Sequence, residues 1–193
     1  MRMKIKIMCA ILLFLGSTQL ANAQRTAYGE RMISIDVSLS QFNRTSLGAG
    51  LSYGQYLLNS YWFGGLNFVN RVEIHSASGE AVNYPRLQGF GGYMYRLLGS
   101  RSRQVNLYGG GDLFIGGEFF DLFKTLTGPT RKAYLEGGVK EAKFIFGLSP
   151  RLEGEFFISS AVAITAGIRV PFCILTNFDI PGVEMSLGAR VNF

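Results

Sequence analysis

The residues able to do chemistry are few. His75 is the only histidine of 193 residues, and it stands beside Ser76 and Ser78. Nucleophilic hydrolysis needs a hydroxyl, a base within hydrogen-bond reach and a group that orients the base. No carboxylate can be assigned to that third role, so His75 reads as a surface side chain. One histidine and the one cysteine outside the amino-terminal leader, Cys173, cannot by themselves supply the three or four ligands of a zinc site. Gly109-Gly110-Gly111-Asp112 superficially matches a phosphate-binding loop, but no Gly-Lys-Ser/Thr follows and no helical pattern begins there. Catalytic, cofactor-binding and metal-ligating residues are therefore all expected to be absent.

The elements that would position any site start after residue 23. Arg2, Lys4 and Lys6 precede the apolar run Ile7 to Leu15, which leads to Ala21-Asn22-Ala23, the pattern of a secretory signal peptide over residues 1–23. Losing those three cations lowers the formal charge from +6 to +3, so the high isoelectric point is no argument for nucleic acid. Cys9 goes with the leader, and the lone Cys173 excludes an internal disulfide. Residues 24–193 are enough for one domain. Glycine makes up 25 of the 193 residues, nearly twice the ordinary share of about 7%. These glycines recur inside apolar stretches, where a tightly curved sheet needs room.

Period-two alternation of apolar and polar residues recurs eight times and predicts eight strands. Ile33, Ile35, Val37 and Leu39 mark the first, and Val183, Met185, Leu187, Ala189, Val191 and Phe193 the last. Between them come Leu47 to Tyr53, Tyr61 to His75, Leu87 to Leu97, Val105 to Glu118, Phe144 to Glu155 and Val162 to Val170. Pro150 suggests a bulge in the sixth. The second, fourth and sixth connections are tight, and the third, fifth and seventh are longer. Aromatic residues (Tyr53, Tyr56, Tyr61, Trp62, Phe63, Tyr93, Tyr95, Phe156, Phe157 and Phe193) gather near the tight turns, as an interfacial girdle would. No later segment is apolar for the ~18 residues of a membrane helix. The fold expected is an all-β, eight-stranded antiparallel up-and-down transmembrane β-barrel of outer-membrane type, with a soluble sandwich or lipocalin-like barrel as the alternative.

In that register Asp36, Arg96, Asp112, Arg151, Glu153, Glu155, Arg169, Glu184 and Arg190 point inward. They form either a polar conduit or a charge-paired plug, and the need of buried charges to pair favours the plug. The long fifth connection, Phe119 to about Glu141, carries Phe119, Leu122, Phe123 and Leu126 at helical spacing, with Gly128-Pro129 as the stop. This segment either packs across the barrel mouth or presents an apolar patch to a partner. Arg131, Lys132, Lys140 and Lys143 give it a basic flank suited to lipopolysaccharide phosphates or simply to water.

Two resemblances add to this reading. Ser186, Gly188, Val191 and Phe193 fall on the four defined positions of the carboxy-terminal insertion signal of outer-membrane barrels, which implies barrel-assembly machinery as a partner during insertion. Some outer-membrane lipid hydrolases carry a His-x-Ser pair, but here its serine position holds Ala77. The chain as a whole resembles the conjugal transfer TraO family of conjugative transposons of Bacteroidetes. Gln24-Arg25 with Met32 to Leu39 carries that likeness, together with Tyr93-Met94-Tyr95-Arg96, Leu107 to Gly111, and Ala166-Gly167-Ile168-Arg169 through Phe193. It implies a non-enzymatic outer-membrane component of a conjugative mating apparatus that anchors or docks other transfer proteins without contacting DNA directly. A general structural or adhesive outer-membrane barrel is the alternative, and a lipid-modifying barrel enzyme the third.

Overall fold

The computed structural model describes residues 29–40, 45–74, 81–99, 104–122, 126, 128–174 and 182–193. The proposed leader, His75 and its neighbouring serines, and Phe123 lie outside these residues.

Alternating residues fold as read. The strands are β1 (Arg31–Ser40), β2 (Thr45–Tyr56), β3 (Ser60–Ile74), β4 (Ala81–Gly99), β5 (Val105–Phe119), β6 (Ala142–Phe157), β7 (Val162–Arg169), β8 (Phe172–Ile174) and β9 (Glu184–Asn192). All pairings are antiparallel, running from β5 through β4, β3, β2, β1, β9 and β7 to β6, and β5 pairs again with β6. That last pairing closes the sheet, and a closed sheet has no free edge. Leu148 opposite Phe172 and Arg151 opposite Arg169 keep a single register, so β7 and β8 are two pieces of one stave and the barrel has eight.

Two prolines explain the break. Pro150 lacks an N–H but its carbonyl accepts from the Val170 N–H at 3.1 Å, and Pro171 follows at once. The expected bulge at Pro150 is not found: β6 keeps its register against β5 throughout, because the interruption falls on the facing stave. The strand also resumes at Phe172, where a loop from Pro171 to Gly182 was expected. A register shift occurs instead between β4 and β5, at Arg96/Leu98.

Both described ends of the chain lie with the tight turns. The Gly29 N–H donates to the Tyr56 carbonyl at 2.9 Å, and Arg31 and Phe193 exchange two backbone hydrogen bonds of 3.0 Å across the seam of first and last strands. We call this the turn end and the opposite the loop end. Small residues allow the curvature. A Cβ on Gly65 would lie 2.1 Å from the Leu51 carbonyl oxygen, and one on Gly110 2.1 Å from that of Tyr93.

Parity along each strand sorts the side chains. Ile35, Leu51, Leu66, Leu87, Leu113, Phe144, Ile164 and Leu187 are all exposed on the outside, at least one from every stave. A continuous apolar belt of this kind suits hydrocarbon rather than water. The aromatic cluster at the turn end divides by the same rule. Tyr53, Trp62, Tyr93, Tyr95, Phe156 and Phe193 face outward as a girdle would, and Tyr53 meets Trp62 edge-on at 5.8 Å. Tyr56, Tyr61, Phe63 and Phe157 were expected in that girdle but are buried. Each sits one residue out of phase with its outward neighbour and turns into the lumen.

Candidate functional site

Two places concentrate polar chemistry: the lumen, and the loop end between β5 and β6.

In the lower lumen Arg190, from β9, reaches two carboxylates on β6. Its Nη2 donates to Glu153 Oε1 at 2.6 Å and its Nη1 to Glu155 Oε1 at 2.7 Å, while its Nε donates to Ser34 Oγ at 2.8 Å. The Tyr61 hydroxyl donates to Glu153 at 2.6 Å, the Tyr56 hydroxyl donates to Glu155, and Arg151 Nη2 donates to the other oxygen of Glu153 at 2.6 Å. The Arg190 guanidinium also lies 4.8 Å from the Tyr61 ring centre, a cation–π contact. Two guanidiniums and two carboxylates thus neutralise each other among stacked rings, with Met32, Met94 and Tyr108 completing the cluster.

The upper lumen repeats the arrangement. Arg169 pairs with Glu184 at 2.6 Å, and Arg71 approaches the same carboxylate at 3.6 Å. Arg86 pairs with Glu118 at 2.5 Å, and both are essentially inaccessible. Arg86 Nη1 also donates to Cys173 Sγ at 3.3 Å. Buried charge is tolerated only when so paired, and eight strands leave an interior just wide enough for side chains. The lumen is accordingly a charge-paired plug rather than a conduit. Arg151, Glu153, Glu155, Arg169, Glu184 and Arg190 are paired within it, and Asp36 and Asp112 line it without an ion pair among the described residues. Arg96 does not, because it lies at the turn rim and donates to Asn59 Oδ1 at 2.5 Å. Sequence reasoning missed the Arg86–Glu118 pair. Extending the inward parity of Gln88 and Phe90 back by one step along β4 would have found Arg86.

At the loop end the long connection forms a packed platform. Phe120 is buried against Val82 and Tyr84 from the start of β4 and against Leu126. A helix, α1 (Gly128–Glu136), lays Tyr134 on the Phe120 ring at 5.5 Å between centres, with Leu135 and Val139 beside it. Gly128-Pro129 opens this helix, contrary to the expectation that it stops one. Proline is at home in a first turn, where its missing N–H would have no intrahelical partner anyway. The end is a Schellman motif: the Val139 N–H donates to the Tyr134 carbonyl and the Gly138 N–H to Leu135, each at 3.1 Å, with Gly138 at φ +93°. Arg131 ties the helix down through Asp121 at 3.6 Å and Glu141 at 2.7 Å.

Of the four residues expected to form a docking patch, Phe123 lies outside the described residues, and the other three do not share a face. Phe119 is the last residue of β5, Leu122 is exposed, and Leu126 is buried in the platform. Phe120 is the true anchor. Strand parity continues through Glu118, Phe119 and Phe120, so a helical spacing applied there selects the wrong phenylalanine. Of the basic flank, Arg131 and Lys132 are paired, Lys132 with Glu136 at 3.6 Å, and Lys140 is exposed. On β9, Ser186 and Gly188 face inward while Val191 and Phe193 face outward. No group of three potential metal ligands occurs among the described residues.

No protein-family model matches the chain, and no curated protein matches it. Solved structures do. Ail, the attachment invasion locus protein of Yersinia pestis, crystallised with the heparin analogue sucrose octasulfate, superposes with a TM-score of 0.53 at 18% identity, covering 86% of this chain and 100% of Ail. Neisserial surface protein A superposes with a TM-score of 0.59 at 14% identity, covering 88% of this chain and 100% of that one. The fold is that of a closed eight-stranded antiparallel outer-membrane barrel.

Proposed function

We propose that the protein is a non-enzymatic outer-membrane barrel with a structural or adhesive role, in which a plugged, rigid body carries the loop-end platform at the cell surface. The observation that carries this reading is the paired lumen. With Arg190 engaged by Glu153 and Glu155, and Arg86 by Glu118, the interior offers a scaffold rather than a path, and what remains for contact with the surroundings is the platform. Long loops face outward in such barrels, and rigid scaffolds commonly carry function on their loops. The fold shared with Ail, a protein named for attachment, is compatible with adhesion.

The test has two parts. Reconstituted in planar bilayers, the protein is expected to give no conductance steps. Cells in which residues 120–141 are replaced by a Gly-Ser linker are expected to keep the folded barrel while losing surface attachment or envelope resistance to detergent. Stable conductance, or an unchanged phenotype in the linker strain and in a full deletion, would sink the proposal.

The second reading is a component of a conjugative mating apparatus that docks other transfer proteins, and it rests on the sequence resemblance to the TraO family alone. A deletion that left mating frequency unchanged would remove it. Lipid A modification by the purified protein would instead favour an enzyme.

A further inference from the structure

The inward glycines of the barrel are demanded by close neighbours, but the outward Gly89 and Gly91 are not. They lie on the outer face of β4, and a Cβ on either would meet its nearest neighbour only at 3.9 Å or 3.8 Å, ordinary van der Waals contact. On Gly65, in the adjacent register, the corresponding distance is 2.1 Å. Closing the barrel therefore does not require glycine at 89 and 91. Their effect is on the outside, where they form the floor of an open groove of about 590 Å³. Leu113, Ile115, Phe144 and Phe146 are its exposed apolar walls. The groove is broad and open to the outside, so it suits a flexible chain lying along the wall rather than an enclosed ligand.

We propose that this groove binds one acyl chain of lipid A. The inference rests on the outer-membrane reading above and adds a ligand to it. The groove interrupts the apolar belt and is continuous with it, so hydrocarbon is what meets it there, and an unfilled void would forfeit the dispersion contacts of its walls. Its position selects the leaflet. Phe144 and Phe146 belong to the first turns of β6 at the loop end, and Leu113 and Ile115 to the half of β5 that leads there, which is the outward half when long loops face outward. Charge agrees, because exposed Lys140 stands two residues before β6, on the loop-end side of the strand that carries Phe144, where a phosphate of the same lipid would lie.

The experiment is native mass spectrometry of the full protein extracted from outer membranes in mild detergent, with heat-modified mobility as the measure of folding. Wild type is expected to retain lipid A. Gly91→Leu and, separately, Gly89→Leu are expected to fill the groove and lower retention at least tenfold with folding unchanged, and Lys140→Glu to lower it several-fold. Equal retention by folded groove variants overturns the proposal, as does retained phospholipid in place of lipid A, or a dimer cross-linked through residue 113. If one leucine variant fails to fold, the other and Lys140→Glu decide. A protein absent from the outer-membrane fraction would refute the localisation. One that is present but carries no lipid refutes this site alone.

Discussion

Arg190 and Glu153 lie 37 positions apart in the sequence and meet at 2.6 Å inside the barrel, each side chain almost fully buried. The pair joins β9 to β6 across the lumen, past β7, and the Tyr61 ring covers one face of the guanidinium. Its geometry ties the last strand to the stave two places away.

Removing Arg190 leaves two carboxylates with less compensation, of which Glu155 has no other guanidinium within ion-pair distance among the described residues. Breaking a buried pair from one side costs about 3–5 kcal/mol. Arg190→Ala is therefore expected to lower the unfolding free energy of the barrel in vesicles by that amount, with a lower urea midpoint, and to weaken its heat-resistant mobility. An unchanged midpoint would show that the network is not structural.

Arg86 and Glu118 form a second buried pair, whose coupling a double-mutant cycle measures. Arg86→Met alone and Glu118→Leu alone should each cost about 3 kcal/mol or more, and the double variant should recover most of the loss, since an apolar pair of similar volume replaces a buried ion pair at little cost. Additive losses would mean that the two side chains act through other partners, for example Cys173 beside Arg86.

What the sequence disclosed follows from the period of two. Parity alone assigns Ile35 and Leu187 to the outside and Glu153 and Arg190 to the inside, because a strand offers only two directions. It also could have placed Tyr56 and Tyr61, which proximity to a turn instead assigned to a girdle. Pairing between staves was beyond its reach: nothing in the neighbours of Arg86 names Glu118. The fifth connection was misread for a related reason. Strand periodicity extends to Phe120, one residue further than the helical pattern allowed, and Gly128-Pro129 serves helix starts and stops alike.

The platform should be a unit of local stability separate from the barrel. Gly138 at φ +93° holds the Schellman turn, and a β-branched residue there is strained, so Gly138→Val should cost about 1–2 kcal/mol, confined to the loop. Phe120→Ala removes the ring beneath Tyr134 and should cost more, about 3 kcal/mol. Limited proteolysis should then cut between residues 120 and 141 at rates raised in that order, while heat-modified mobility stays unchanged. Equal protection of both variants would mean that the helix is held by Arg131 and its two carboxylates instead.

Phe193 separates assembly from stability. Its backbone closes the seam with Arg31 through two hydrogen bonds that do not depend on the side chain, and its ring is exposed on the outside near Val191, where a smaller residue leaves no internal cavity. Phe193→Ala should therefore change the unfolding free energy of refolded protein by less than about 1 kcal/mol, as surface substitutions do. The same ring, with Ser186, Gly188 and Val191, matches the signal by which barrels enter the membrane, so the quantity of inserted protein in cells should fall several-fold. The check compares refolding of purified protein in vesicles with the heat-modifiable fraction recovered from outer membranes. If both fall together, the ring is a structural part of the girdle. If only the cellular level falls, it acts on the assembly machinery, and the inward Arg190 on the same strand should show the reverse pattern, with stability lost first.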